Sequence, residues 1–330
     1  MNVKGFKGFR KGLICRDKQY KENEIFEEKV EKLEVCEDGM HFCENPLDVL
    51  EYYPFISSKR FNPSEYCEVE AVGDVVSQED KSCTNRLFVK NKLTYYDFVK
   101  SCIKFIKSKA NNLMNFDSDV FSFSYDKNSS IKSNSSVAIS SGKESSVEIQ
   151  HPWSIASSLN EKSTSQTYEG YSLAVTKGFQ SIAECQERLS TAVTLGSRSI
   201  AQTTGINSTA IANNYSSLAQ TIGFQSVAVA TEINSIAQVN GPRSVAIVVQ
   251  PNNIAIANNE NSIALVLSID GFAQGIKGST LIFNYHHIFE RTEEFRMFQV
   301  DGETVKENTL YRLNREDGTL EEVEEIVDES

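Results

Sequence analysis

Ser199-Ile200-Ala201-Gln202-Thr203-Thr204-Gly205-Ile206-Asn207, followed at once by Ser208-Thr209-Ala210-Ile211-Ala212-Asn213-Asn214-Tyr215-Ser216, is one nonapeptide written twice. Its Ser-apolar-Ala opening recurs at Ser172, Ser181, Ser217, Ser226, Ser235, Ser244 and Ser262. Weaker copies at Ser190, Asn253 and Gly271 hold the register, which can be followed back to Ser136. A strict period of this kind is read before any local propensity, because it marks a stacked repeat architecture. It covers residues 135 to 283 of the 330-residue chain.

A second period lies inside the first. The residue after each Ala alternates between apolar (Val175, Val193, Ile211, Val229, Ile247, Leu265) and polar (Glu184, Gln202, Gln220, Gln238, Gln274), with Ile256 as the exception. The structural unit is therefore two nonapeptides, eighteen residues, which suits a parallel β-solenoid coil with a short strand on each side of a thin core. Helix is excluded, since no apolar 3.6 period survives in a repeat rich in Ser, Gly and β-branched residues. Period-2 alternation puts the Ile/Val of the tripeptide and the residue after Ala on one face and Ala on the other. The Ile/Val row is expected to point inward, although spacing alone leaves open which face Ala takes. Gly178, Gly196, Gly205, Gly223 and Gly241, each three residues before a Ser, are expected to supply positive φ at the turns, with Asn214 and Asn259 as substitutes. Pro242 and Pro251 share the turn phase, where no ladder N–H is lost. Some eight coils at about 4.8 Å each would form a rod about 40 Å long, whose ends need caps.

The net charge of −12 belongs to the ends of the chain. From Lys127 to Phe283 there are nine Lys/Arg and nine Asp/Glu, whereas Glu316 to Glu329 carries eight carboxylates and no base. A neutral Ser/Asn/Gln/Thr surface neither attracts nor imitates phosphate, so nucleic-acid binding is not expected. Neither a membrane-length apolar run nor a secretory h-region is visible, so a cytosolic chain with reduced thiols is expected, without membrane association. The division expected is an α+β module over 1–110, a Ser/Asn-rich linker over 111–134, the solenoid over 135–283 and a β-rich cap with an acidic tail over 284–330. Within the first module, Asn45 reads as an N-cap with Pro46 at the first helical position, and Tyr95 to Ala110 as an amphipathic helix with Phe98, Cys102, Phe105 and Ile106 on one face.

Lys4-Gly5-Phe6, Cys15-Arg16 with Tyr20, and Gly39-Met40-His41-Phe42-Cys43 followed by Asn45-Pro46-Leu47-Asp48-Val49 and Tyr52-Tyr53 resemble the N-terminal module of a family of uncharacterised phage and prophage proteins. Those proteins continue into Ser/Ala nonapeptide repeats and end in a cap with a signature similar to Val300-Asp301-Gly302-Glu303-Thr304-Val305-Lys306, Thr309, Tyr311 and Leu313. This chain departs from them at Tyr20-Lys21-Glu22-Asn23. The repeat also resembles the heads of trimeric adhesins, which have a longer period. The resemblance implies a non-enzymatic binding protein that is a homo-oligomer and engages, and inhibits, a protein complex of the bacterial host in its cytoplasm.

Two other functions are weighed beside that one. By residue type and order, Arg16, His41, Tyr52 and Glu70 resemble the constellation of ADP-ribosyltransferase-like, NAD-binding enzymes. A structural trimeric virion fibre is the second. Cys36, His41 and Cys43 bring metal-ligand types together without a Cys-x-x-Cys knuckle, so packed thiols are the expected reading. No phosphate-binding Gly loop or Ser/His/Asp order occurs, and no cofactor is expected. The Val193, Ile211, Val229, Ile247, Leu265 ladder is an interface if it faces outward and simple core if it faces inward. The Gln202, Gln220, Gln238 ladder is either a binding face or a structural amide stack.

Overall fold

The computed structural model describes residues 2–30, 32–35, 37–56, 63–78, 80–109, 112–116, 121–134, 136–286 and 293–323. Cys36, Ser135, His287 and the acidic run from Glu324 onward lie outside the described residues. The chain forms two compact units, Met1–Phe105 and Ile106–Ser330.

In the first unit a four-stranded antiparallel sheet is built from β1 (Val3–Phe9), β4 (Glu24–Glu27), β6 (Glu65–Ala71) and β9 (Arg86–Leu93), in the spatial order β1-β6-β9-β4. The hairpin β2 (Ile14–Cys15) and β3 (Lys18–Gln19) lies between β1 and β4 in sequence. A second sheet joins β5 (Met40–Phe42), β8 (Ser82–Thr84) and β7 (Val75–Ser77). A 3-10 turn, Pro46–Asp48, leads into the short helix α1 (Val49–Tyr52), and the Asn45 side chain accepts from the Leu47 N–H as the N-cap signal requires. The helix α2 (Tyr95–Lys109) starts at Thr94, whose hydroxyl accepts the Asp97 N–H at 3.1 Å, and it buries Phe98, Cys102 and Ile106. Phe9, Tyr20, Met40, Phe42, Val69, Leu87 and Val89 form a core that ties the two sheets together.

The second unit is the parallel β-solenoid, about nine turns of about eighteen residues. Strands alternate between two sheets. One contains Leu173–Thr176, Thr191–Thr194, Thr209–Ala212, Val227–Ala230, Val245–Val248 and Ile263–Val266; its side chains facing away from the core are half-buried, and we call it the exposed sheet. The other contains Ile182–Cys185, Ile200–Thr203, Leu218–Thr221, Ile236–Val239 and Ile254–Ala257, is buried on both faces, and is called the buried sheet. Each residue sits beside its counterpart eighteen positions on, as in Val227↔Val245 and Ile200↔Leu218. The Ser/Asn-rich stretch expected to be a linker belongs to the ladder: Asn112–Phe116 pairs with Ser129–Ser133, and Phe121–Ser124 with Val137–Ser140.

The orientation of the repeat is opposite to the one expected. Ala fills the core from both sheets, with Ala174, Ala183, Ala192, Ala201, Ala210, Ala219 and Ala228 all fully buried, together with the residue two places further along each strand. The Ile/Val row faces away from the core. The reason is thickness: two sheets whose turns are only five residues long stand close together, so from Ala174 to Val266 the first core position of each strand takes a methyl group, while the second admits nothing larger than Val, Thr or Cys.

The glycines also act differently from the expectation. Positive φ falls on the residue just before each Ser, at Arg198, Asn207, Ser216, Gln225, Asn234 and Arg243, with φ between +52 and +57°. Gly196, Gly205, Gly223 and Gly241 are needed for close approach instead. A Cβ on Gly223 would lie 1.8 Å from the Gly205 carbonyl oxygen of the preceding coil. The Ser at each turn is buried and spans two coils. Ser226 Oγ accepts the Ser208 N–H at 3.2 Å and donates to the Gly205 carbonyl at 3.1 Å, and the pattern repeats at Ser199, Ser217 and Ser244.

At the C-terminal end, Thr280–His286 closes the exposed sheet by pairing antiparallel with Glu293–Gln299, while Tyr311–Leu313 and Leu320–Glu322 extend the buried one. Leu281, Phe283, Tyr285, Val300 and Tyr311 plug the open end of the core. Asp301 fixes the intervening turn, its Oδ1 accepting the N–H groups of Glu303, Thr304 and Val305.

Removing one stitch should be costly. Ser226→Ala strands the Ser208 N–H and the Gly205 carbonyl, and is expected to lower unfolding free energy by about 1–3 kcal/mol in urea titration. Ala228→Leu, which overpacks the core, should cost as much or more, and Thr209→Val on the half-exposed row should cost little.

Candidate functional site

Two places gather chemistry, one in each unit. In the first unit a cavity of about 420 Å³ opens between β1, the β2–β3 hairpin, β5 and α1. Gly8 allows it to form as it does: a Cβ there would stand 2.4 Å from the Tyr53 Cβ, so only Gly lets α1 approach β1 closely enough to bring Tyr52 and Tyr53 to the wall. Arg16 enters from the turn between β2 and β3 with φ +51°, His41 from β5, and Tyr52 from the end of α1.

Three of the four residues singled out by the ADP-ribosyltransferase resemblance therefore share one cavity. Glu70 does not line it. It lies on β6, where Asn2 Nδ2 donates to it at 2.7 Å and Lys90 Nζ stands 3.8 Å away. Sequence reading missed Lys7, Lys18 and Lys81, which line the same space together with Cys15 and Tyr53. One signal was available: in β1, period-2 alternation puts Lys7 on the face of Gly5 and Phe9, an unusual place for a lysine.

Lys7 is only 5% exposed. Its Nζ donates to the His41 carbonyl oxygen at 2.6 Å and lies 5.7 Å and 5.5 Å from the Phe9 and Tyr20 ring centroids. Lys18 pairs with Glu28 at 2.9 Å, and Lys81 sits over the Tyr52 ring. Tyr53 Oη donates to Cys15 Sγ at 3.1 Å, and Tyr52 donates to Asp80. Burial, and then the Asp80 contact, pushes the Tyr52 hydroxyl up to about 12. Burial raises the Tyr20 and Tyr53 hydroxyls further still. The imidazole of His41 is held below its ordinary value, first by burial and then by the charges of Lys7, Arg16 and Lys81.

The metal reading finds no support around His41. Cys36 lies outside the described residues, and among the described residues no group of three His, Cys, Asp or Glu side chains could hold a metal ion. Burial pushes the Cys43 thiol up to about 12. Cys15, Cys43, Cys67, Cys83, Cys102 and Cys185 are free thiols. His286 stands at the end of its strand, 3.8 Å from Glu293, and His287 is outside the described residues.

The second place is the exposed sheet. Val193, Ile211, Val229, Ile247 and Leu265 point away from the core and are half-buried, beside a second row formed by Thr191, Thr209, Val227, Val245 and Ile263. The stripe continues into the cap, where Ile282 lies opposite Met297, 70% exposed, next to Phe295, 59% exposed. Gln202, Gln220 and Gln238 lie on the buried sheet instead, at 9% exposure or less, and Gln220 Nε2 donates to Gln238 Oε1 at 3.0 Å. Among the described residues neither amide atom of the fully buried Gln202 has a hydrogen-bond partner, so the amide contact is confined to the Gln220–Gln238 pair.

The profile of a family described as Domain of unknown function (DUF7666) matches residues 3–101, the stretch that contains the cavity. No curated protein and no solved structure matches the chain. Among the described residues no helix is long and apolar enough to cross a membrane.

The His41 environment sets a pH dependence. Because the folded chain disfavours the protonated ring, stability from this group is fully present above the ordinary histidine value of about 6.5 and is lost as pH falls below it. His41→Gln is expected to flatten the fall of the urea midpoint as the pH drops below about 6.5.

Proposed function

We propose that the chain is a non-enzymatic binding protein whose solenoid pairs with a second copy of itself through the outward face of the exposed sheet. The observation that carries this reading is the double row from Thr191 and Val193 to Ile263 and Leu265, continued by Ile282 and Met297. Six steps of about 4.8 Å and strands four residues wide make a face about 29 Å by 13 Å, or roughly 380 Å² per partner. Two copies would bury about 750 Å², the size of a weak or transient interface. A patch of that size is about the largest a solitary chain exposes, and such patches are often functional. Charge offers a foreign partner little to recognise, since between Ile200 and Ala264 only Glu232, Arg243 and Glu260 are ionised. A copy of the same ladder matches its rung spacing side chain for side chain.

The first unit supplies the recognition module. Its resemblance to phage and prophage proteins supports a protein complex of the bacterial host as the target, met in the cytoplasm and inhibited on binding. ADP-ribosyl transfer is less well supported, because Glu70 is engaged by Lys90 and Asn2 away from Arg16, His41 and Tyr52. A trimeric fibre would use the same apolar face, so stoichiometry separates it from a dimer.

Light scattering on the full chain is expected to give twice the chain mass at micromolar concentration, and the double variant Val229→Glu, Ile247→Glu to give the single-chain mass with the circular dichroism unchanged. A wild-type monomer would defeat the pairing, and a mass of three chains would move the reading to the fibre.

A further inference from the structure

Lys7 poses a physical problem that the binding role leaves unsolved. Its ammonium is 5% exposed, uses one of three donors on the His41 carbonyl, and has no carboxylate within ion-pair distance among the described residues. Burial of a cation without a counter-charge costs several kcal/mol, and ring faces such as those of Phe9 and Tyr20 return up to about 2 kcal/mol. Arg16 stands exposed at the same cavity, likewise without an ion pair among the described residues. The acidic groups of the lining do not answer this charge: Glu28 is taken by Lys18, Glu37 is bonded to Glu34, and Asp38 is exposed at the edge. The depressed imidazole of His41 reports the same positive field. Around these charges the walls are aromatic, with Tyr20, Phe42, Tyr52 and Tyr53, and the volume of about 420 Å³ falls in the range of small-ligand sites.

We propose that this cavity binds a small organic anion, a phosphate or carboxylate carried on a planar ring, with the charged group between Lys7 and Arg16 and the ring against Tyr52 and Tyr53. The anion completes the donor set of Lys7 and offsets its desolvation. A guanidinium at the mouth gives the paired N–H geometry that both anions accept. The cavity is too small for a polymer, so the ligand is a free molecule or a single modified end group.

Calorimetric titration of the full chain with phenyl phosphate, benzoate, inorganic phosphate and phenol tests this. Saturable binding of one equivalent is expected for phenyl phosphate or benzoate, the tighter of the two identifying the anion. Inorganic phosphate should bind more weakly and phenol not at all. Lys7→Met and Arg16→Gln are each expected to weaken binding by about tenfold or more. Arg16 is exposed on a turn, so its variant stays folded and informative even if the Lys7 variant does not. Absence of saturable binding for both ring anions, or affinities unchanged in the variants, would overturn the proposal.

Discussion

Each eighteen-residue coil of the solenoid is stitched to the next by two serine hydroxyls, one at each turn, each accepting a backbone N–H and donating to a backbone carbonyl of the coil before it. Turn backbone is the part of a stacked ladder that the strands cannot satisfy, and buried polar groups left unpaired cost more than a typical hydrogen bond contributes. A hydroxyl is the smallest side chain able to serve both groups at once. Asn253 stands in for Ser once, and its Oδ1 accepts the Ser235 N–H at 2.8 Å. The glycines follow from the same joint. The carbonyl that takes the hydroxyl proton must come down onto the next turn, and at Gly205 and Gly223 that leaves no room for a Cβ.

Tight turns bring the two sheets near each other, and from Ala174 to Val266 a near pair of sheets admits Ala at one core position of each strand and no more than Val, Thr or Cys at the other. Ala in the core, Ile and Val away from it, and the two unequal faces are one consequence of that spacing. Through the eighteen-residue period, every second nonapeptide carries its polar or apolar fourth residue to the same side, so a choice made once per coil becomes a continuous stripe. The stripe on the exposed sheet is apolar and neutral; the one on the buried sheet is a run of amides and apolar residues.

The period, the strand pattern, the Asn45-Pro46 cap and the α2 helix were legible in the sequence because each rests on local spacing. The direction of the Ala row was not, since alternation gives two faces without naming either, and the gap between sheets depends on turn geometry that no strand residue encodes. The glycine role was hidden for a related reason: a contact with a residue eighteen places earlier looks, in one dimension, like a local φ requirement. Residues 111–134 read as a linker because their repeat is degenerate, yet backbone pairing tolerates any side chain that fits the stack. The cavity was half visible. Arg16, His41 and Tyr52 stood out by type, but Lys7 mattered through its burial, which a Lys-Gly-Phe run does not announce, and Glu70, picked by type and order alone, lies on β6 outside the cavity.

If the coil of eighteen residues, with its serine stitch and its two different faces, is the unit of this fold, whole coils should be removable and half coils should not. The most direct measurement is the urea midpoint of two deletion chains, one lacking Ser217–Asn234 and one lacking Ser217–Gln225. Loss of the full coil keeps every Ser, Gly and Ala in register and should leave the midpoint close to that of the parent, because only one nearest-neighbour contact is lost. Loss of nine residues shifts exposed-sheet strands onto the buried sheet and should lower the midpoint sharply or abolish the cooperative transition. Equal tolerance of the two deletions would contradict the account, since it would mean that the nonapeptide alone is the unit and that the two faces are interchangeable.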